Sequence, residues 1–253
     1  MKNRNTVLAA FFSLAFILPL AKVSAQTAPA AAAPAEVSPF KVTADLVSSY
    51  MWRGTLGSAT PNFQPTLAFV KGGLEIGVWG STDFIGAYKE ADLYIAYTAG
   101  PLKFAITDYD WSFGTTKYFN YKNETTGHIF EGTVGYTGPE SFPLSITANV
   151  MFAGADKKYD KDFEAQDPTK QAYSTYIELG YAFKYFSPFV GITPSDGYYG
   201  DGYGGYGGVS VCNIGLTATK NLKISDSFSL PLKATFGFNP QKEDAYLVFG
   251  ITF

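Results

Sequence analysis

From Phe40 to the last residue, apolar and polar residues alternate with a period of two, run after run. That period belongs to a strand with two differently solvated faces, whereas a helix repeats every 3.6 residues. In residues 40–52 one parity reads Phe40, Val42, Ala44, Leu46, Ser48, Tyr50, Trp52, and the other reads Lys41, Thr43, Asp45, Val47, Ser49, Met51. Residues 142–152, 173–183, 228–238 and 245–253 repeat the pattern cleanly. Noisier runs at 64–70, 74–79, 91–97, 102–109, 129–136, 189–193 and 209–217 bring the total to about twelve strands. No stretch in this region is apolar for the 18 residues that a membrane helix needs.

Composition narrows what these strands build. Only 16% of residues are charged, against about 25% in an ordinary soluble domain. Aromatics make up 17% and there are 26 Gly, a balance that suits strands and weakens helices. Nineteen Lys+Arg against 22 Asp+Glu, with no basic cluster, exclude a nucleic-acid surface. One cysteine makes no internal disulfide, and the single histidine, His128, builds no His-based metal cluster. No metal and no cofactor is expected.

The N-terminus reads differently. Lys2 and Arg4 precede an apolar run from Val7 to Leu20, then Val23-Ser24-Ala25. This predicts a secretory signal peptide over residues 1–25, because the run is too short to span a bilayer as a helix. Residues 26–39, QTAPAAAAPAEVSP, read as a flexible Ala/Pro-rich lead-in.

Connections between the strands alternate short and long, as in a meander with two unlike ends; 220–227 and 239–244 fit this rhythm least well. With strands laid side by side, Phe40, Tyr97, Tyr136, Phe142, Phe183, Phe228 and Phe253 fall at the short-turn end. Tyr50, Trp52, Phe63, Phe130, Phe152, Tyr173 and Phe238 fall at the long-loop end. An apolar band between two aromatic girdles predicts an all-β fold, a transmembrane antiparallel up-and-down β-barrel of about 12 strands, with 10 or 14 as alternatives. A soluble sandwich would also alternate, but the polar parity here is too rich in Gly, Ala, Ser and Thr to serve as a charged outer surface. The barrel is expected over residues 40–253, in a bacterial outer membrane, bounded by lipid and lipopolysaccharide. The last strand, ending in Phe253, looks like the strand by which the outer-membrane assembly machinery recognises such barrels.

Ser49-Tyr50-Met51-Trp52-Arg53-Gly54, then Gln64-Pro65, Gly77-Val78-Trp79-Gly80-Ser81 and Glu90-Ala91-Asp92-Leu93-Tyr94 together resemble the TorF family of putative outer-membrane porins. The match covers roughly the first third of the barrel. The resemblance implies an outer-membrane barrel of poorly defined substrate and supplies no catalytic residue.

If the apolar parity faces lipid, the pore-lining ionisable residues are Asp45, Glu75, Asp92, Lys103, Glu131, Glu178 and Lys233. Five acids against two bases predict a mildly cation-preferring lumen. Small residues on the same parity, among them Ala68, Gly77, Ala96, Gly135, Gly180, Gly215 and Gly250, predict room for water. The opposing possibility is that Lys103 and Lys233 pair with neighbouring acids and close the lumen. Tyr198, Tyr199, Tyr203 and Tyr206, in a Tyr/Gly-rich loop, either fold into the mouth as a constriction or belong to a mobile loop. Trp52 reads as an interface anchor, with Arg53 beside it for lipopolysaccharide phosphate. Cys212 reads as a small hydrophobe against lipid. The 156–167 loop, DKKYDKDFEAQD, lacks the spacing of a calcium loop.

These features predict passive diffusion of ions or small polar solutes through a porin-like channel. The alternative is a non-conducting structural or adhesive barrel acting through its outer loops. An enzyme is not expected, although His128 has Asp108, Asp110 and Ser112 nearby in sequence.

Overall fold

The computed structural model describes residues 38–253 apart from 115, 160–164, 196, 200–208 and 227, so the expected signal peptide and nearly all of the lead-in lie outside the described residues. Sixteen strands occur among the described residues. The first five are β1 (Phe40–Val47), β2 (Tyr50–Trp52), β3 (Thr55–Ser58), β4 (Asn62–Lys71) and β5 (Leu74–Asp83). Next come β6 (Lys89–Ala99), β7 (Leu102–Asp110), β8 (His128–Thr137), β9 (Leu144–Gly154), β10 (Lys157–Tyr159) and β11 (Gln166–Gln171). The chain ends with β12 (Thr175–Tyr181), β13 (Ser187–Thr193), β14 (Ser210–Lys223), β15 (Ser229–Asn239) and β16 (Asp244–Thr252).

Twelve of these close into one antiparallel barrel in the order β1-β16-β15-β14-β13-β12-β9-β8-β7-β6-β5-β4, with β4 returning to β1. These twelve fall on the twelve alternating runs of the sequence. Closure leaves no strand edge unpaired, a requirement for backbone that crosses a membrane. The seam between first and last strands is short, with Asp45 opposite Thr252 and Val47 opposite Gly250.

The alternation places the two parities on opposite sides of the wall. Leu67, Ile76, Ile95, Phe104, Ile106, Leu247 and Phe249 stand exposed on the outside. Ala68 and Ala96, on the other parity, are buried. Water would penalise such an outer surface at about 25 cal/mol per Å², so it is built for hydrocarbon. Phe40, Tyr97, Phe142, Phe183, Phe228 and Phe253 are exposed at one rim, and Phe63, Phe152, Tyr173 and Phe238 at the other, forming the two girdles of a transmembrane β-barrel.

The first strand departs from the sequence reading. It stops at Val47, and Tyr50–Trp52 turns back against Thr55–Ser58 as a separate hairpin. Arg53 and Gly54 both have positive φ, 52° and 78°, the backbone that a tight two-residue turn needs. A Cβ on Gly54 would lie 2.4 Å from the carbonyl oxygen of Cys212, so only glycine lets the tip approach β14. Asn239 Nδ2 donates to Gly54 O at 3.0 Å and Lys242 Nζ to Thr55 Oγ1 at 3.2 Å, pinning the same tip to the β15–β16 turn. Tyr50 and Trp52 therefore leave the lipid-facing girdle. Tyr50 packs on Trp79 and Tyr88, while Trp52 packs on Tyr109, Trp111, Tyr198 and Tyr199. The hairpin lies inside the barrel.

Cys212 is corrected for a related reason. Asn213 pairs with Gly191 and Val211 with Ile192, so Cys212 is the extra residue of a β-bulge. The bulge flips its parity, and its side chain is buried against Met151, Tyr176 and Tyr199 instead of facing lipid.

Candidate functional site

The inner hairpin delivers Arg53 to the inward face of β8. Arg53 Nη1 donates to Glu131 Oε2 at 2.6 Å and Nη2 to Oε1 at 2.8 Å, a two-point pair. Tyr109 Oη donates to the same carboxylate at 3.0 Å, and Tyr199 Oη donates to it at 3.3 Å while accepting from Arg53. The guanidinium lies 4.5 Å from the Trp52 ring and 5.0 Å from the Tyr176 ring. Cationic and π-system contacts thus hold Arg53 from its faces while carboxylate and phenol hold its edge. Glu131 has no solvent exposure. Removing either charge would leave the other buried and uncompensated.

This corrects the reading of Trp52 and Arg53 as a membrane-surface anchor. Their ring and charge point into the lumen because the strand ends at Val47 and the chain reverses. It also answers how the lumen's bases are used. Among the described residues neither Lys103 nor Lys233 forms an ion pair with an acid; the cation that pairs inside the barrel is Arg53.

The other predicted pore-lining acids are held by hydroxyls and amides. Glu75 accepts from Tyr94 Oη at 2.7 Å, Glu178 from Tyr176 Oη at 2.5 Å, Asp45 from Thr252 Oγ1 at 2.5 Å, and Asp92 from the Asp110 backbone N–H at 3.3 Å. Glu90, absent from the predicted set because the alternating run 91–97 begins just after it, joins Asp92 on the inward parity of β6 and is buried. Reading that run one residue earlier would have found it.

Several small inward residues do not leave open water. A Cβ on Gly77 would meet Tyr94 Oη at 2.5 Å, and one on Gly191 would meet Tyr176 Oη at 2.2 Å. Gly215 is likewise overlain by the Phe189 ring. These glycines are seats for rings from the neighbouring strand, a cross-strand use of glycine that composition cannot separate from emptiness. Open space does exist elsewhere. A cavity of about 320 Å³, lined by Asp45, Arg53, Glu178, Asn213, Lys233 and Tyr246 among others, occupies the lumen beside β12–β16 and β1. One water needs only about 10–15 Å³ measured this way, so the cavity has room for several waters and polar side chains to bind them.

At the long-loop rim, Tyr198 and Tyr199 are brought into the lumen against Trp52, Trp111 and Tyr176. Tyr203 and Tyr206 lie outside the described residues. His128 sits on the outward parity of β8 beneath the β7–β8 loop. Its Nδ1 is 2.8 Å from Asp108 Oδ1 and its Nε2 2.6 Å from the Tyr118 carbonyl oxygen. Ser112 Oγ donates instead to Asp110, at 2.6 Å. Both ring nitrogens are thereby engaged in holding the loop. In the next loop Asp156 accepts from Ser174 and Gln171, and burial pushes its carboxyl up against the pull of those donors. Asp167 is held below the usual carboxylate range by Thr169 and Lys170.

No family model and no curated protein matches the chain. Among solved structures the chain is similar to the crystal structure of BamA from Haemophilus ducreyi lacking POTRA domains 1-3. That match has 11% identity and a TM-score of 0.35, and it covers 82% of this chain and 43% of the other. The chain thus spans less than half the length of that neighbour, and at this TM-score the likeness carries no argument about function.

Proposed function

We propose that this protein is an outer-membrane channel for passive diffusion of ions or small polar solutes, narrowed by its inner hairpin and mildly cation-preferring. The observation that carries the reading is the charge-lined cavity of about 320 Å³ inside a closed barrel whose outside is apolar. Small apolar residues alone would not favour water there; the lining by Asp45, Glu178, Lys233 and Arg53 does. Cation preference follows from the accounting of partners. Arg53 is committed to Glu131, and Asp45, Glu75 and Glu178 are held by neutral donors, so their charges are not cancelled by an ion pair. Rings of carboxylates in such a setting attract cations and repel anions.

Export through a signal peptide ending near Ala25, and insertion by the assembly machinery through the strand ending in Phe253, complete this reading, together with the resemblance to the TorF porins. The chemistry is passive and needs no cofactor or catalytic residue.

A second reading has its own support. Arg53, Glu131, Tyr109 and Tyr199 bridge the lumen from the hairpin to β7, β8 and the β13–β14 loop, which favours a closed barrel acting through its outer loops. Planar-bilayer recording of the refolded mature protein, with reversal potential under a salt gradient, separates the two. Discrete steps with cation preference support the channel; a folded, heat-modifiable protein that never conducts supports the plugged barrel.

A further inference from the structure

The lumen cavity carries charges that do not cancel one another. Asp45, Arg53, Glu178 and Lys233 all line it. Glu131 matches Arg53, which leaves two carboxylates against one ammonium. Lys233 forms no ion pair among the described residues, although both acids line the same cavity. Asp45 accepts from Thr252 through Oδ1 and Glu178 accepts from Tyr176 through Oε2, so Asp45 Oδ2 and Glu178 Oε1 are left without a hydrogen bond among the described residues. The donor to Glu178 ends an oriented chain: Tyr246 Oη donates to Asn213 Oδ1 at 2.7 Å, Asn213 Nδ2 to Tyr176 Oη at 3.1 Å, and Tyr176 Oη to Glu178. Every hydrogen in that chain runs toward the carboxylate, which fixes it as an acceptor.

Register places these charges. Lys233 stands opposite Gly250 across β15 and β16, and Asp45 stands opposite Thr252 across β16 and β1. The two therefore flank β16, and Gly250 puts no side chain between them. Glu178 lines the cavity from β12, three strands beyond β15. Val47, Phe189 and Val248 supply apolar wall in the same cavity. Its volume, about 320 Å³, lies at the small end of the 300–1,000 Å³ or so of small-molecule sites. Access is from the short-turn end: Lys41, Thr98, Lys103 and Thr219, on the inward parity there, are exposed, whereas Glu131, Met151, Tyr176 and Tyr199 on the other side of the cavity are buried.

We infer that this cavity is a binding site for a basic α-amino acid. The ligand's carboxylate accepts from Lys233 Nζ, its α-ammonium donates to Asp45 Oδ2, and its side-chain cation donates to Glu178 Oε1, all charge-assisted contacts. Its methylenes lie along Val47, Phe189 and Val248. Two positive groups and one negative group on the ligand answer the two carboxylates and one ammonium of the wall. A bare cation would leave Lys233 opposed, a bare anion would meet two carboxylates, and no group of three acidic, thiol or imidazole metal ligands is gathered among the described residues. The inference rests on the reading of the lumen as a path for small polar solutes and names the class of solute.

Calorimetric titration of the refolded full barrel in detergent with L-lysine, at neutral pH where both of its amines are protonated, tests this, with folding verified by heat-modifiable migration. Saturable binding is expected, at least tenfold tighter than that of L-norleucine, which lacks the side-chain ammonium, and at least tenfold tighter than that of cadaverine, which lacks the carboxylate. Two variants assign the contacts. Glu178→Gln should erase most of the difference between L-lysine and norleucine, and Lys233→Met most of the difference between L-lysine and cadaverine. Should either variant fail to fold, the three ligands on the wild-type barrel still decide. No saturable heat with L-lysine, binding no tighter than that of norleucine and cadaverine, or a preference for L-lysine that survives both variants would overturn the site. Because binding is read without conduction, a silent barrel that binds L-lysine rejects only the transport proposal, and a conducting one that does not bind it rejects only this one.

Discussion

The Arg53 guanidinium and the Glu131 carboxylate, 78 residues apart in the chain, meet at 2.6 and 2.8 Å inside the barrel, where the carboxylate has no contact with solvent. Each is the other's only opposite charge in that position among the described residues. Breaking a buried pair by deleting one partner costs about 3–5 kcal/mol, while replacing both costs far less. Arg53→Ala should therefore lower the unfolding free energy by roughly 3 kcal/mol, and Arg53→Met with Glu131→Gln by clearly less than the sum of the single changes. Urea unfolding of the refolded barrel in micelles, run as a double-mutant cycle, gives the coupling; simple additivity would mean that the pair is not a unit.

Selectivity can be separated from the latch. Glu178→Gln removes a cavity-lining charge held by a tyrosine, and Glu131→Gln removes the partner of Arg53 and leaves that cation unmatched. Both should lower cation-over-anion preference in bilayer recordings, with Glu131→Gln the larger effect because it adds a free positive charge to the constriction. Reversal potentials unchanged by the combined variant would sink the lumen-charge account.

Glycines under rings make a stability prediction. At Gly77 a methyl would run into Tyr94 Oη at 2.5 Å, the hydroxyl that donates to Glu75. Gly77→Ala should destabilise by about 1–3 kcal/mol, the usual cost of overpacking. Gly72→Ala, where no atom lies within 4 Å of the added Cβ, has room but a φ of +58°, so its cost comes from backbone strain alone. Equal effects of Gly77→Ala in the presence and absence of a Tyr94→Phe change would show that the hydroxyl contact is not what is lost.

His128 fastens the β7–β8 loop through Asp108 and the Tyr118 carbonyl, and stacks near Tyr121. His128→Ala should leave the barrel's heat-modifiable migration intact while making the 111–127 loop at least severalfold more sensitive to limited proteolysis. Protease resistance equal to wild type would show that the loop is held by its other contacts.

Cys212 offers a test of the bulge. A lipid-facing thiol would react with a membrane-permeant maleimide in the folded barrel, whereas the buried, inward Cys212 should react only after unfolding. Fast labelling of the folded protein would place the side chain outside.

The strand plan was legible because a barrel wall gives each parity one solvent. Lipid selects Leu67, Ile95 and Phe249 and the lumen selects their neighbours, so alternation reports directly on facing, and chain reversals at Gly72-Gly73 and Gly100-Pro101 mark the short turns. The same rule misled at Tyr50 and Trp52, which keep the apolar parity of β1 after the strand has ended. Alternation cannot see a strand end when a hairpin continues the period. It failed again at Cys212, since one inserted residue reverses every facing locally.

By itself the sequence determined a closed wall of about twelve strands, its greasy outside, its aromatic rims and most of its inward charges, because each of these depends on a residue and its near neighbours along the chain. Only the tertiary structure decided that Arg53 finds Glu131, that Tyr94 and Tyr176 sit over Gly77 and Gly191, and that Glu90 is buried beneath Tyr88. Those outcomes rest on cross-strand register and on the path of an inner hairpin. Both are set by the closure of the whole barrel rather than by any local pattern.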